Sequence, residues 1–337
     1  MYSEAFHTID ISTKKFLITG GAGFIGSHLT EYLMTHGAGK VVVLDNLVTG
    51  SERNIESYKD SPSFNFVLGD INDHELMLSL CRDSHYVLHQ AALGSVPRSI
   101  ENPLDSHQAN ATGFLSVLEA CRVSGVKRLV YASSSSVYGD SAELPKKEEN
   151  LGSPKSPYAI TKLMDEQYAQ LYSRLHGMEI TGLRYFNIFG PRQNPNGPYA
   201  AAIPLFIIAA LNGESIKIFG DGEQTRDFTF VANAVKANML ALFANTETCG
   251  KAYNVACGKQ YSLNNVLDKI SEINGVSIKA TYLNEREGDI KHSKADISMI
   301  HRAMNFTPDI ELEEGLRFSV EWYKKNAQNF SSSPIGQ

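Results

Sequence analysis

Short apolar runs alternate along the first half of this chain with stretches in which apolar residues recur at helical spacing. Phe16-Leu17-Ile18-Thr19 predicts a short buried strand, and Ile25 to Met34 carries the helical spacing directly after it. Val41 to Leu44, Phe64 to Leu68, Tyr86 to Leu88 and Arg128 to Ala132 predict four further strands, with helical stretches between them. Alternation of this kind predicts an α/β fold, a doubly wound parallel sheet covered on both faces. Leu183 to Phe186 predicts a sixth strand, while Ile216 to Phe219 and Tyr253 to Val255 predict small strands in a more irregular C-terminal part. Residues 1–14 precede the first strand and read as an arm lying on the surface. A boundary is expected near residue 187, with the C-terminal part, to residue 330, returning to the first so that the two enclose a cleft; 331–337 reads as a flexible tail.

Composition narrows the possible partners. The chain has 337 residues, 42% hydrophobic and 20% charged, as in an ordinary globular protein, and its net charge of -6 argues against a nucleic-acid or anionic-membrane surface. A small-molecule substrate is expected, any anionic part of it held by a few local arginines and helix N-termini. Cys81, Cys121, Cys249 and Cys257 show neither C-x-x-C spacing nor histidine partners, so reduced thiols and no metal are expected. No apolar run approaches the roughly 18 residues of a membrane span, and the first residues lack the pattern of a secretion signal. A cytoplasmic location is the expectation.

Gly20, Gly23 and Gly26 stand at G-x-x-G-x-x-G spacing between the first strand and the first helix. There, backbone N–H groups and the positive end of a helix meet a dinucleotide pyrophosphate, which predicts a Rossmann domain over 15–187. Phe24 and Ile25 fall within this turn. Asp45, 19 residues past Gly26 and followed by Asn46, ends the second strand, where a carboxylate accepts from an adenosine ribose and repels a 2'-phosphate. NAD rather than NADP is therefore the expected cofactor. Asp70 and Ile71 end the third strand as candidates to contact adenine, and Gln90-Ala91-Ala92 after the fourth would let a cofactor lie against the backbone.

Tyr158 and Lys162 stand four residues apart in Ser-Pro-Tyr-Ala-Ile-Thr-Lys (156–162). On a helix they share one face, so the lysine ammonium favours the tyrosine phenolate. A phenol titrating near pH 10 needs a shift of roughly three units, about 4 kcal/mol, to serve as a base near pH 7. Ser134, in a run of serines after the fifth strand, completes a redox constellation with this pair.

With these residues the chain resembles the extended short-chain dehydrogenase/reductase superfamily over nearly its full length. Ala-Ser-Ser-Ser-Ser-Val-Tyr-Gly (132–139), 156–162, Leu-Arg-Tyr-Phe-Asn (183–187) and Arg-Glu-Gly-Asp (286–289) are similar to UDP-sugar 4-epimerases. The stretches 89–100 and 192–201 resemble the branch of these that prefers N-acetylated UDP-hexosamines. The resemblance implies Tyr158 as catalytic base, Ser134 as its hydroxyl partner and Lys162 as the residue that holds the nicotinamide ribose. It implies Asn110 and Tyr185 near the cofactor, Asn110 also tying the active-site helix to backbone. Arg226 and Arg286 match the positions that bind the substrate diphosphate, and Asn187 an asparagine that contacts it. Asp289 is placed near the substrate but outside the phosphate shell, where a carboxylate would repel.

Ser293 stands where epimerases restricted to non-acetylated sugars resemble one another in carrying a tyrosine. Its small side chain leaves volume for a 2-N-acetyl group, in a pocket with Ser135, Ser136, Ala201, Gly94 and Ser95. The implied reaction is interconversion of UDP-N-acetylglucosamine and UDP-N-acetylgalactosamine. The corresponding 6-carboxylated pair is the second substrate reading, with Arg98 or Arg192 as carboxylate partner. A dehydratase would need an acid and a base where Ser135 and Ser136 stand, and a silent NAD-binding protein would have little use for the Tyr-Lys pair. A homodimer through a four-helix bundle that includes the Tyr158 helix is also implied; the apolar pattern of Leu163, Ala169, Leu171 and Tyr172 fits it and fits core packing equally.

Overall fold

The computed structural model describes residues 1–196, 199–285 and 291–329. Its centre is a parallel sheet formed by Lys15–Thr19 (β1), Lys40–Asp45 (β2), Phe64–Leu68 (β3), Tyr86–His89 (β4), Arg128–Ser134 (β5) and Ile180–Tyr185 (β6), with a seventh strand from the C-terminal part. Smaller strands are Ile188–Phe189 (β7), Ile216–Phe219 (β8), Thr225–Arg226 (β9) and Thr229–Phe230 (β10). Lys251–Val255 (β11) is that seventh strand, and Tyr261–Ser262 (β12) and Ala280–Leu283 (β13) complete the set. The sheet order is β11-β6-β5-β4-β1-β2-β3.

Between the strands lie Phe24–Thr35 (α1), His74–Arg82 (α2), Val96–Glu101 (α3), Pro103–His107 (α4), Gly113–Ser124 (α5) and Pro157–His176 (α6). The C-terminal part adds Ala202–Asn212 (α7), Val231–Phe243 (α8), Leu263–Asn274 (α9), Ser298–Met304 (α10) and Leu312–Lys325 (α11). Between α4 and α5 the helical path loosens into a π turn at Gln108–Thr112.

Alternation along each strand divides the core in two. Phe16, Ile18, Val41, Val43, Leu88 and Val130 face α1 and α8 through Leu29, Leu33, Val235 and Met239. Leu17, Val87, Leu129 and Tyr131 face α2 and α5 through Met77, Phe114, Val117 and Leu118. Period-2 alternation sends successive side chains to opposite faces, and here both faces are apolar because both are covered.

The structure differs from two expectations about the fold. Tyr253 to Val255 belongs to the central sheet: β11 runs parallel to β6 in the register Tyr253↔Leu183 and Val255↔Tyr185. The arm does not simply lie on the surface, since Tyr2 and Ile11 are each only 2% exposed. Phe6 stacks on Tyr32 of α1, and the Tyr2 hydroxyl shares a 3.0 Å hydrogen bond with His28 Nδ1. Tyr2 and Phe6 of the arm thereby pack against α1. Of the apolar pattern on α6, Ala169 is buried in the second core and Tyr172 packs against it, while Leu163 packs against a third cluster with Val137 and Phe186.

Candidate active site

The ends of β1, β2, β4 and β5, the start of α6 and the segments around 187, 226 and 293 border one cleft of about 770 Å3. At the nucleotide end, Gly20 has φ +68°, and a Cβ there would lie 2.6 Å from the Ala91 backbone nitrogen. The backbone at 20 is thus pressed against the loop after β4, a packing that only glycine allows. A Cβ on Gly26 would lie 2.1 Å from the Gly20 carbonyl oxygen, so α1 starts against the turn itself. Gly23 is the N-cap of α1, and no side chain caps that helix. The first-turn N–H groups thus face the cleft without a side-chain acceptor, as an incoming anion requires.

Asp45 ends β2 with Oδ2 accepting from Ala22 N at 3.0 Å and Oδ1 from Leu47 N at 2.8 Å. Burial raises its carboxyl above the ordinary range against those backbone donors. Asn46 donates to Asp70 Oδ2 at 2.8 Å, bringing the two adenine-side candidates together. Burial works against the Asp70 charge, but hydrogen bonds from Asn72 and Asn46 hold its carboxyl below the usual value. Phe24, Ile25, Ile71, Ala91 and Ala92 line the same end. Gln90 accepts from the Tyr185 hydroxyl at 3.2 Å, and both line the cleft; burial pushes Tyr185 up to about 12. A glycine cradle at an uncapped helix start, followed by a ribose-side carboxylate, fits NAD.

At the chemical end, Ser156 caps α6 by accepting from Ala159 N at 3.1 Å, and Pro157 occupies the first helical position. This start places Tyr158 in the first turn and Lys162 one turn later. Lys162 is 1% exposed and its ammonium donates to the Ala132 carbonyl at 2.9 Å and to Asp165 Oδ2 at 3.1 Å. A Cβ on Gly94 would lie 4.0 Å from the Tyr158 hydroxyl, so Gly94 faces the phenol across the cleft. Ser134 Oγ, at the end of β5, accepts from Ser136 N at 3.1 Å. Accepting there leaves the hydroxyl proton available for donation. Behind this wall, Arg184 clamps α6 to β6 through paired 2.8 Å contacts to Glu166.

Gly94, Ser95, Ser135, Ser136, Asn187, Arg226 and Ser293 also line the cleft. Arg226 donates to the Thr225 carbonyl at 2.9 Å, and Ser293 N donates to the same carbonyl at 3.1 Å. Asn187, held at φ 38°, donates to the Asp227 carbonyl at 3.2 Å. The Asp227 carboxylate accepts from Cys257 N at 3.0 Å and Ala295 N at 3.1 Å, so one buried aspartate gathers the three segments.

Several expected residues lie elsewhere. Asn110 is buried behind the cleft wall: it accepts from Leu93 N at 2.8 Å and donates to Thr161 Oγ1 at 3.2 Å. Its amide ties α6 to the loop after β4. Ala201 is exposed at the start of α7 and off the cleft. Arg98 lies 5.1 Å above the Tyr199 ring and Arg192 pairs with Glu31, so neither reaches the cleft. Arg286 and Asp289 lie outside the described residues.

The cleft also holds residues that sequence reasoning passed over. Lys146, 4% exposed, and the more exposed Lys155 line it as well. In sequence Lys146 opens a Lys-Lys-Glu-Glu run and Lys155 stands in Ser-Pro-Lys-Ser-Pro, neither of which marks a site by itself. Asp165 stood three residues past Lys162, a spacing that puts both on one helix face, and was legible in principle. Among the described residues no helix is long and apolar enough to cross a membrane, and no group of three His, Cys, Asp or Glu residues is placed to hold a metal.

Residues 16–256 match the NAD dependent epimerase/dehydratase family. A UDP-N-acetylglucosamine 4-epimerase of Methanobrevibacter ruminantium, solved in complex with UDP-N-acetylmuramic acid, is 41% identical. It covers 93% of this chain and 99% of its own, with a TM-score of 0.88. The UDP-glucose 4-epimerase of Thermus thermophilus, solved with NAD, is 34% identical over 92% of this chain and 99% of its own, with a TM-score of 0.82. A UDP-glucuronate 4-epimerase of Thermodesulfobacterium geofontis is 34% identical over 329 residues, 95% of this chain and 99% of that protein. With the family match over most of the chain, 4-epimerases similar over more than nine-tenths of it, and a cleft whose nucleotide end fits NAD, the chain belongs to the NAD-dependent epimerase/dehydratase family, among its UDP-sugar 4-epimerases.

Proposed function

We propose that the protein interconverts UDP-N-acetylglucosamine and UDP-N-acetylgalactosamine at C4. The observation that carries this reading is Ser293, a small side chain lining the same cleft as Ser134 and Tyr158, where a tyrosine would fill the room an acetamido group needs. The Methanobrevibacter ruminantium relative, itself a UDP-N-acetylglucosamine 4-epimerase, supports it.

Tyr158 takes the proton from the sugar 4-hydroxyl, and Ser134 donates a hydrogen bond to the same oxygen. NAD, when bound, would supply the hydride acceptor and donor for C4. Lys162, one helical turn after Tyr158 and lining the same cleft, favours the phenolate and meets the nicotinamide ribose. Arg226 and Arg286 bind the diphosphate, with Asn187 beside it; guanidinium forks match phosphate oxygens. Anchored there, the nucleotide stays in place while the keto sugar turns. Residues with no acid or base function occupy 135 and 136, which speaks against elimination of water. The family's homodimer, joined through the α6 region, belongs to the same reading; Leu104 at 83% and Ile160 at 49% exposure support it.

A 6-carboxylated substrate is the second reading, favoured by Lys146 and Lys155 on the cleft. Proton NMR of purified protein with UDP-N-acetylglucosamine, UDP-glucose and UDP-N-acetylglucosaminuronate decides between them. Fastest appearance of the UDP-N-acetylgalactosamine anomeric signal is expected. Conversion mainly of the uronate would transfer the assignment to the second reading, and no 4-epimer from any of the three would overturn both.

Ser293→Tyr tests the pocket directly. It is expected to lower kcat/KM for UDP-N-acetylglucosamine at least about tenfold relative to UDP-glucose, the scale of a steric misfit of 1–3 kcal/mol. An unchanged ratio would remove Ser293 from the argument.

A further inference from the structure

We propose that Asp165 is a positioning residue for this reaction: its carboxylate, on the buried side of Lys162, orients the lysine ammonium and sets how strongly that ammonium favours the Tyr158 phenolate. The inference rests on Tyr158 being the base.

Asp165 lies inside α6 and is fully buried. Oδ2 accepts from Lys162 Nζ at 3.1 Å, whereas Oδ1 has no hydrogen-bond partner among the described residues. A half-satisfied carboxylate in a helix interior is costly, and an apolar side chain would pack there at less expense. What the carboxylate does provide is a direction. An ammonium has three donors. Two are turned inward, to Asp165 and to the Ala132 carbonyl, two residues before Ser134. One remains for the cleft.

The surrounding groups leave Asp165 as the counter-charge to Lys162. Glu166, next on the helix, is neutralised by Arg184 at 2.8 Å. Tyr131 on β5 is buried, and burial holds its phenol neutral. His89 on β4 is pushed down to about 3 by burial and then by the Lys162 charge, so it stays neutral. Burial raises Asp165 itself to about 7, with Lys162 opposing. Above that pH the carboxylate offsets the ammonium, and the Tyr158 phenol holds its proton more tightly. Below it the ammonium acts on the phenol unopposed.

Asp165→Asn keeps the shape and removes the charge at every pH. The Tyr158 midpoint, read by ultraviolet difference titration of NAD-loaded protein with Tyr158→Phe as blank, should fall by about one pH unit, the lower end of what one neighbouring charge produces. The acid limb of kcat/KM should move the same way. In a Lys162→Met background, the Asp165→Asn change should leave the phenol midpoint where it was. Equal midpoints in wild type and Asp165→Asn, or a shift that persists without Lys162, would overturn the proposal while leaving Tyr158 as base. A wild-type phenol that does not titrate between about pH 6 and 9 would overturn both. Should Asp165→Asn not fold, Asp165→Ser carries the same expectations.

Discussion

Tyr158→Phe is expected to lower kcat for C4 epimerisation about 10³-fold, within the range for loss of a positioned general acid–base group. The expectation follows from where the hydroxyl stands. It faces Gly94 across the cleft, one helical turn from a lysine whose ammonium is tied to Ala132 and Asp165. Phenylalanine keeps the ring and its packing on α6 but has no proton to exchange. The glycine loop, Asp45 and Asp70 are at the far end of the cleft and should be untouched, so NAD content after purification should match wild type. Steady-state epimerisation beside a spectrophotometric assay of NAD released on denaturation separates the two effects. Activity within tenfold of wild type would sink the assignment of Tyr158; loss of NAD would mean that the phenol is needed to hold the cofactor.

Gly26→Ala should destabilise the protein by about 3 kcal/mol and strip it of NAD, although alanine is the better helix former by about 1 kcal/mol. The new Cβ would sit 2.1 Å from the Gly20 carbonyl oxygen and 2.7 Å from Gly21 Cα. Both contacts are backbone, so relief requires moving α1 off the turn that cradles the pyrophosphate. Gly113→Ala is the comparison. Its Cβ meets the Ile71 side-chain tip at 2.4 Å, which can rotate aside, so the same substitution there should cost clearly less. Thermal unfolding of both variants, with NAD content, reads the difference. Equal losses at the two positions would mean that the close approach at 26 is not what holds the loop.

The alternation of apolar runs and helical spacing determined the doubly wound sheet, because strands buried on both faces must be apolar throughout. The spacing of Gly20, Gly23 and Gly26, and of Tyr158 and Lys162, was likewise legible, since each geometry is local: a turn into a helix, and one helical turn. What the tertiary structure decided was everything that depends on a distant partner. β11 became the seventh strand by pairing with β6, a choice that Tyr253 to Val255 cannot express by itself. Asn110 turned to Leu93 and Thr161, Arg192 to Glu31 and Arg98 to Tyr199, because a polar side chain takes whatever partner the fold brings within reach. Lys146 reached the cleft for the same reason, bridged to Ala295 beside Ser293, although 149 residues separate it from that strand of contacts in sequence. Local periodicity encodes which face of an element is buried; only the assembled fold supplies what that face meets.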